Sequence, residues 1–284
     1  MTRILRTRTQ LRDALAVAPH PVGLVPTMGW LHDGHRALIR RARAADATTV
    51  VTIFVNPRQF TIDADFSRYP RSEGRDLAMC ESEGVDLVFA PSVEEMYLPG
   101  FATTVSIGAI AKPLEGAARP GHFDGVATVV AILFSLVGAE HAYFGQKDAQ
   151  QVMVIRQMAR DLAIPTEVIA CPTVRESDGL AMSSRNVHLT PAERAAAPVL
   201  RRALLAARSR WESGERSADV LRTVVGEDIA REPLAQVDYI SCADGVTLAE
   251  LQHVTGPALL SLAVHLGSTR LIDNEPLVPA GADR

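Results

Sequence analysis

His32 and His35 flank Asp33-Gly34 in the run Val25-Pro26-Thr27-Met28-Gly29-Trp30-Leu31-His32-Asp33-Gly34-His35. Imidazoles so placed can donate hydrogen bonds to a phosphoryl group as charge develops on it. The surrounding residues say where they stand. Val22 to Val25 is an apolar run that reads as a short buried strand. Pro26 ends it, since proline cannot donate to a sheet ladder. Gly29 and Gly34 permit turns that a Cβ obstructs. Ala37, Leu38, Ile39 and Ala42 then begin a helical apolar stripe among arginines. The pair therefore falls where a strand becomes a helix, and a helix start offers unpaired N–H groups and a positive dipole end suited to phosphate. Two plainer readings stand beside this one. Both histidines have a structural role, or they form a metal pair with Asp33, although no further His, Cys or Glu cluster completes a ligand set.

Other residues fit the same chemistry. The chain has 29 basic residues, and Lys112 and Lys147 are its two lysines. A lysine kept where arginine is the default points to a need for a compact ammonium. Lys147 follows the strand-like His141 to Gly145 and precedes a helix whose apolar face is Val152, Ile155, Met158 and Ala159, with Asp148 at the N-cap position. It is a candidate phosphate cation; a surface lysine is the bland alternative. Asn56 and Gln59 follow the β-branched run Thr48 to Val55, where neutral amides suit a hydroxyl or carboxylate. Ser183, Ser184 and Arg185 offer two hydroxyls and a guanidinium for a triphosphate, or form a plain linker. Gln151 faces its helix start or is a solvated glutamine, and Asp76 is a magnesium ligand or a plain helix-surface carboxylate. Arg119 is the lone basic residue of the glycine- and proline-rich stretch Pro113 to Gly125. The chain holds no G-x-x-x-x-G-K-[ST] loop, no G-x-G-x-x-G fingerprint and no G-x-S-x-G elbow, which weakens P-loop, dinucleotide and hydrolase readings.

The elements that must position these residues alternate strand and helix as far as about Ser177, which predicts an α/β, Rossmann-like doubly wound parallel sheet over 1–175. Ligands in such sheets bind outside the carboxyl ends of the strands. A helix is expected over Thr9 to Ala18, an edge strand over Thr103 to Ile107, and a buried helix over Val126 to Val137. Residues 61–72 read as a mobile lid or a solvated loop. After about Ser177 the pattern changes. Thr190-Pro191-Ala192-Glu193 is a helix start with cap, proline and glutamate in register. A second helix over Ser217 to Ala230 and strands over Val237 to Ser241 and Ala258 to Leu266 make 176–284 a smaller α+β domain with a loose tail.

At 284 residues the length suits about two domains. Hydrophobic residues are 47% and charged residues 22%, an ordinary globular balance. The net charge of −4 gives no global pull toward nucleic acid. No apolar run is long enough to span a bilayer. The basic start MTRILRTRTQLRD lacks an apolar core for a signal peptide, and a transit sequence is disfavoured by the strand that soon follows. Cys80, Cys171 and Cys242 are scattered, which fits a reducing cytoplasm.

The His-x-Gly-His turn resembles the signature of the nucleotidyltransferase superfamily. The strings PTMGWLHDGH, FVNPRQF, RPGHFDGV, YFGQKDAQQ, PTVRE and MSSRN, in that order and out to TRLIDN, resemble the pantoate–β-alanine ligase family along nearly the whole chain. The resemblance implies a Rossmann-like first domain, a smaller second domain closing over ATP, and a homodimer. It implies condensation of pantoate with β-alanine through an acyl adenylate, using ATP and Mg2+ and releasing AMP and pyrophosphate. It makes Met28, Gly29, Trp30, Leu31, His32, Asp33, Gly34 and His35 ATP contacts, with His35 at the proton-donor position. It adds Gly145, Gln146, Lys147, Asp148, Val174, Met182, Ser183, Ser184 and Arg185 to those contacts, and makes Gln59 and Gln151 substrate contacts. Where the family pattern has Gly-Glu-Lys-Asp, this chain has Gln146, and Arg75 precedes Asp76 where some members carry an acidic pair. Two alternatives differ in kind: another adenylyl- or cytidylyltransferase of the superfamily, and a nucleotide-binding regulator without catalysis.

Overall fold

A computed structural model describes residues 1–60, 66–67 and 69–279. Much of the expected lid, and the tail from 280 on, lie outside the described residues. The chain divides into two compact units, one of Met1–Gln146 with Gln150–Pro172, the other of Lys147–Ala149 with Thr173–Arg284.

The first unit is built on a six-stranded, all-parallel sheet in the order β1-β4-β3-β2-β5-β6. Its strands are β1 (Arg3–Leu5), β2 (Val22–Thr27), β3 (Thr48–Ile53), β4 (Leu87–Phe89), β5 (His141–Gly145) and β6 (Glu167–Cys171). The helices of eight or more residues are α1 (Arg8–Leu15), α2 (Asp33–Ala45), α3 (Glu73–Ser82), α4 (His122–Val137) and α5 (Ala149–Asp161). Side chains alternate across a strand, so Leu24, Val50, Leu87, Phe89, Ala142 and Phe144 join one core with α1, α4 and α5. Val25, Val51, Val88 and Tyr143 join the opposite core with Leu38 and Ile39 of α2 and Cys80 of α3. Both faces are covered, which is why these strands read as continuous apolar runs rather than alternating ones. The chain order reverses between β2 and β5, which pair through Gly23↔His141 and Leu24↔Ala142. That reversal is the topological switch point, and the crevice at the carboxyl ends of its strands is the place for a ligand.

The second unit carries an antiparallel sheet, β7 (Ala235–Asp244), β8 (Ala258–Leu266) and β9 (Thr269–Leu277), in that order. Helices α6 (Val199–Glu212) and α7 (Ala218–Ile229) cover it through Leu200, Leu204, Leu221 and Val225 against Leu260, Leu262 and Val264.

Several elements differ from expectation. Residues 103–107 form no strand; the Val105 amide donates to the Thr128 hydroxyl of α4 at 2.9 Å instead. Helix α4 begins at His122, four residues before the expected Val126, and α1 ends at Leu15. A 3-10 turn over Gln146–Asp148 precedes α5, with Asp148 immediately before Ala149, the first residue of that helix. Strand β9 has no counterpart in the sequence reading, because Asp273, Asn274 and Glu275 give it a polar look; all three are buried.

Candidate active site

Helix α2 is started by His32, whose extended backbone makes it the N-cap. Its Nδ1 accepts from the Gly34 amide at 3.1 Å, and the His35 Nδ1 accepts from the His32 amide at 3.3 Å. An imidazole nitrogen that accepts cannot carry a proton, so each neutral ring holds its proton on Nε2. The rings lie 4.2 Å apart between centroids. The two histidines are thus fixed in the tautomer that makes Nε2–H a donor, which is the form an anionic oxygen needs.

The turn before them is pinned from below. Thr27 donates its hydroxyl to the Thr52 carbonyl at 2.6 Å and accepts the Gly29 amide at 3.1 Å. Gly29 takes φ +81 and Trp30 φ +51, the left-handed region. Asp76, on the first turn of α3 and 1% exposed, accepts from the Trp30 amide at 2.8 Å and the Leu31 amide at 2.7 Å, one on each carboxylate oxygen. An ideal Cβ on Gly29 would stand 2.9 Å from Asp76 Oδ2. Amides of 29, 30, 31, 32 and 34 are therefore engaged within the turn and with Asp76. Of the two kinds of phosphate donor expected from the sequence, helix-start amides and imidazoles, these amides already have acceptors within the protein.

Gln59 is buried and reaches the same place. Its Nε2 donates to the Met28 sulfur at 3.1 Å and its Oε1 accepts from Asn56 at 2.9 Å. Asn56, 1% exposed, spends every polar side-chain atom on protein. Its amide donates to Gln59 and to the Gly125 carbonyl; its oxygen accepts from the Arg58 amide and the Tyr97 hydroxyl. Asn56 thus shapes the 56–59 turn from within. Helix α4 lies directly against that turn, since an ideal Cβ on Gly125 would meet the Arg58 carbonyl oxygen at 2.2 Å and the Gln59 nitrogen at 2.6 Å. The buried His122 Nδ1 lies 2.7 Å from the Gln59 carbonyl oxygen, so the ring donates there. Arg119 reaches the same carbonyl at 3.4 Å and lies 3.4 Å from His122 Nε2. The sequence singles out Gln151, which is half-buried. Its neighbour Gln150, not singled out, is buried, accepts from the Glu115 amide and donates to the carbonyls of Ile110 and Pro113. Sequence reasoning misses Tyr97, His122 and Gln150 because their partners are far along the chain.

In the first unit, Gly145 ends β5 and Gln146 opens the 3-10 turn that follows it. Within the second unit, the Lys147 ammonium lies 3.7 Å from Asp148, and its backbone carbonyl accepts from Asn274 of β9 at 2.9 Å. Val174 and Met182 meet through a 3.0 Å backbone bond. Ser183 accepts from the Arg185 amide at 3.2 Å and opens the 3-10 turn Ser184–His188. Arg175 holds Asp273 of β9 by two bonds of 2.7 and 3.0 Å. Asn186 ties the Ser184–His188 turn to Glu176 at 3.1 Å, and Arg194 grips Glu176 in turn. Asn274 and Asp273 also escape the sequence reading, sitting in the strand that it does not draw.

No group of three or more His, Cys, Asp or Glu side chains is arranged for a metal among the described residues. Asp76, expected as a magnesium ligand, has both oxygens on backbone amides. The described residues make no protein-built metal cage. Mg2+ is commonly held by substrate phosphates and water with few protein ligands.

A parallel sheet with its switch point beside paired, tautomer-fixed histidines at a helix start defines an α/β nucleotide-binding protein of the His-x-Gly-His type. The family model described as Pantoate-beta-alanine ligase matches residues 3–276. A protein named pantothenate synthetase from Roseiflexus sp. (strain RS-1) is 58% identical over 96% of this chain and 98% of its own. A crystal structure of pantothenate synthetase from Thermus thermophilus superposes with a TM-score of 0.93 at 48% identity, over 98% of this chain and 100% of that one. The pantoate-beta-alanine ligase of Francisella tularensis, solved in complex with beta-gamma ATP and beta-alanine, gives a TM-score of 0.79 at 32% identity over 97% of each chain. The chain belongs to the pantoate–β-alanine ligase family, and it is an enzyme of the ligase class.

Proposed function

We propose that the chain joins (R)-pantoate to β-alanine at the expense of ATP, through a pantoyl adenylate. A carboxylate is a poor acyl donor. Attack of a pantoate carboxylate oxygen on the α-phosphorus forms the mixed anhydride and expels pyrophosphate. The β-alanine amine then attacks the acyl carbon, loses a proton, and AMP leaves with the C–O electron pair. The observation that carries the reading is the pair of imidazoles at the start of α2 whose Nδ1 atoms each accept a backbone amide, which puts the proton of each neutral ring on Nε2. Such donors stabilise charge that grows on phosphate oxygens without reorganising first. His35 is the better placed for this role in the family resemblance, with His32 beside it.

Gln59 is assigned to pantoate and β-alanine and Gln151 to pantoate, with Asn56 as a further substrate residue that also holds Gln59 and Arg119 as the nearby cation. Lys147, Ser183, Ser184 and Arg185 are assigned to the ATP phosphates, with Gly145, Gln146, Asp148, Val174 and Met182 as further nucleotide contacts. In this division of labour 1–175 bind the nucleotide and pantoate, and 176–284 add phosphate contacts. Mg2+ is assigned to the ATP phosphates rather than to a protein carboxylate. A homodimer and a cytoplasmic setting belong to the same proposal; the three free, buried cysteines suit a reducing compartment. No helix among the described residues is long and apolar enough to cross a membrane.

The test is pyrophosphate release from ATP and Mg2+ with pantoate, with and without β-alanine. Release with pantoate that becomes multiple-turnover and yields AMP and pantothenate on adding β-alanine is the expected result. Bound ATP with no release under either condition would overturn it in favour of a nucleotide-binding regulator.

A further inference from the structure

The geometry points to Asp76 as a positioning residue for the nucleotide, acting through the backbone of the 28–32 turn. This deepens the ATP-dependent reading and rests on it. A carboxylate that expects a cation is commonly left with free lone pairs toward solvent or ligand. Asp76 is instead 1% exposed, with Oδ2 taking the Trp30 amide at 2.8 Å and Oδ1 the Leu31 amide at 2.7 Å. Two charge-assisted bonds from one rigid carboxylate fix two successive peptide planes. Those planes set the left-handed backbone of Gly29 and Trp30, and the next residue in the chain is His32, the cap of α2.

The alternative conformation of this turn would have a cost of its own. Without an acceptor beneath them, the Trp30 and Leu31 amides are free to turn toward any anion above, and a phosphate would then be held by backbone N–H groups as in a glycine-rich loop. Asp76 commits those amides downward. Gly29 completes the arrangement, because a side chain there would press on Asp76 Oδ2 as well as strain the backbone at φ +81. Arg75, the preceding residue of α3, places its guanidinium 4.9 Å from the Trp30 ring centroid and so holds the same residue from its side-chain end. Helix α3 thereby carries, in two adjacent residues, both grips on Trp30. The phosphate is left to the imidazole donors, and its placement follows the placement of Asp76.

The test compares Asp76→Asn and Asp76→Glu with wild type, using ATP dissociation constants from calorimetry without pantoate, steady-state KM values for all three substrates, and the emission of Trp30 in a Trp211→Phe background. Asparagine turns one acceptor into a donor facing an N–H. ATP Kd and KM are expected to rise about 10- to 100-fold, the size that loss of one hydrogen bond to a charged group implies. Pantoate and β-alanine KM stay within about twofold, and Trp30 emission shifts. Glutamate keeps the charge and is expected to restore part of the ATP affinity; it also carries the test if the asparagine variant does not fold. Unchanged ATP affinity and Trp30 emission in a folded variant would overturn the assignment. So would a uniform fall in activity with all KM values unchanged, which is the mark of a smaller folded fraction. A wild-type protein that binds ATP yet makes no pantoate-dependent pyrophosphate refutes the proposed function and leaves the ATP calorimetry to judge Asp76.

Discussion

Gly125→Ala sets helix propensity against packing at one atom. Alanine in a helix interior gains about 1 kcal/mol over glycine. Here the added Cβ would stand 2.2 Å from the Arg58 carbonyl oxygen and 2.4 Å from its carbon, both backbone atoms that move only with the turn that carries them. Against an ordinary contact of ~3.5 Å, a 2.2 Å approach is an overlap of about 1 Å. Overpacking of this kind costs about 1–3 kcal/mol. The net loss of stability is then about 0–2 kcal/mol, a fall in Tm of up to about 8 °C at ~2–4 °C per kcal/mol. Catalysis is the more sensitive readout. The overlap is relieved by moving the 57–59 turn, and with it Gln59, by about 1 Å, and such a misplacement costs on the order of 100-fold. Pantoate-dependent pyrophosphate release is expected to fall by about that factor in kcat/KM for pantoate, with ATP affinity little changed. Gly74→Ala is the control: its Cβ meets nothing within 4 Å, so activity holds and stability is equal or higher. A Gly125→Ala enzyme within about threefold of wild type in kcat/KM for pantoate would refute the placement of Gln59 by helix α4.

His32→Asn is expected to keep the α2 cap, and so stability within about 0.5 kcal/mol, while adenylation falls about 100- to 1,000-fold for want of the Nε2–H donor; His32→Ala adds a capping loss of about 1 kcal/mol, read by urea denaturation. Lys147→Ala is expected to reduce turnover far more than Lys112→Ala; equal effects on pyrophosphate release would remove the phosphate role of Lys147. Asp273→Ala leaves the largely buried Arg175 guanidinium without its two bonds to that carboxylate, keeping the one to the Gly179 carbonyl, and is expected to cost about 3–5 kcal/mol in chemical denaturation. Burial raises the thiols, Cys80 to about 12 (helped by the Asp76 charge) and Cys242 to about 11, from an ordinary 9.0. The unfolded chain ionises first, so this stability is full below pH 9.0 and is lost as pH climbs from there toward about 12. Native protein at pH 8 is accordingly expected to show almost no rapid reaction with a disulfide reagent, and rapid labelling of all three cysteines would contradict the burial.

The first unit is legible in the sequence because its signals are local. The apolar run Val22 to Val25, the break at Pro26 and the stripe of Leu38, Ile39 and Ala42 lie close together in the chain, and each reports burial directly. The histidine pair is legible for the same reason. What escapes are groups whose partners are distant. Asp76 reads as an exposed helix-start carboxylate until the Trp30 and Leu31 amides are seen against it, 46 and 45 positions away. Asn56 reads as a ligand contact, and its bonds to Tyr97 and Gly125, 41 and 69 positions away, are not visible in the sequence. Strand β9 is hidden by its own acids, because Asp273 and Glu275 look solvated and are in fact buried against Arg175, Arg201 and Arg208. The edge strand expected at 103–107 fails in the opposite sense: β-branched residues are present, but Val105 finds a hydroxyl rather than a neighbouring strand.

The brief visit of Lys147–Ala149 to the second unit, before the chain returns to the first at Gln150, has a consequence for inheritance. Fusion and shuffling of genes work by single cuts between modules. Here the first unit's sequence is interrupted by three residues that belong with 173–284, and one of them is the lysine whose carbonyl is held by Asn274, 127 positions later. A fragment ending at Pro172 would carry Lys147 without Asn274, and a fragment beginning at Thr173 would carry Asn274 without Lys147. A single cut at 172/173 therefore falls inside the second unit and separates the two partners of that bond, although it leaves the parallel sheet whole.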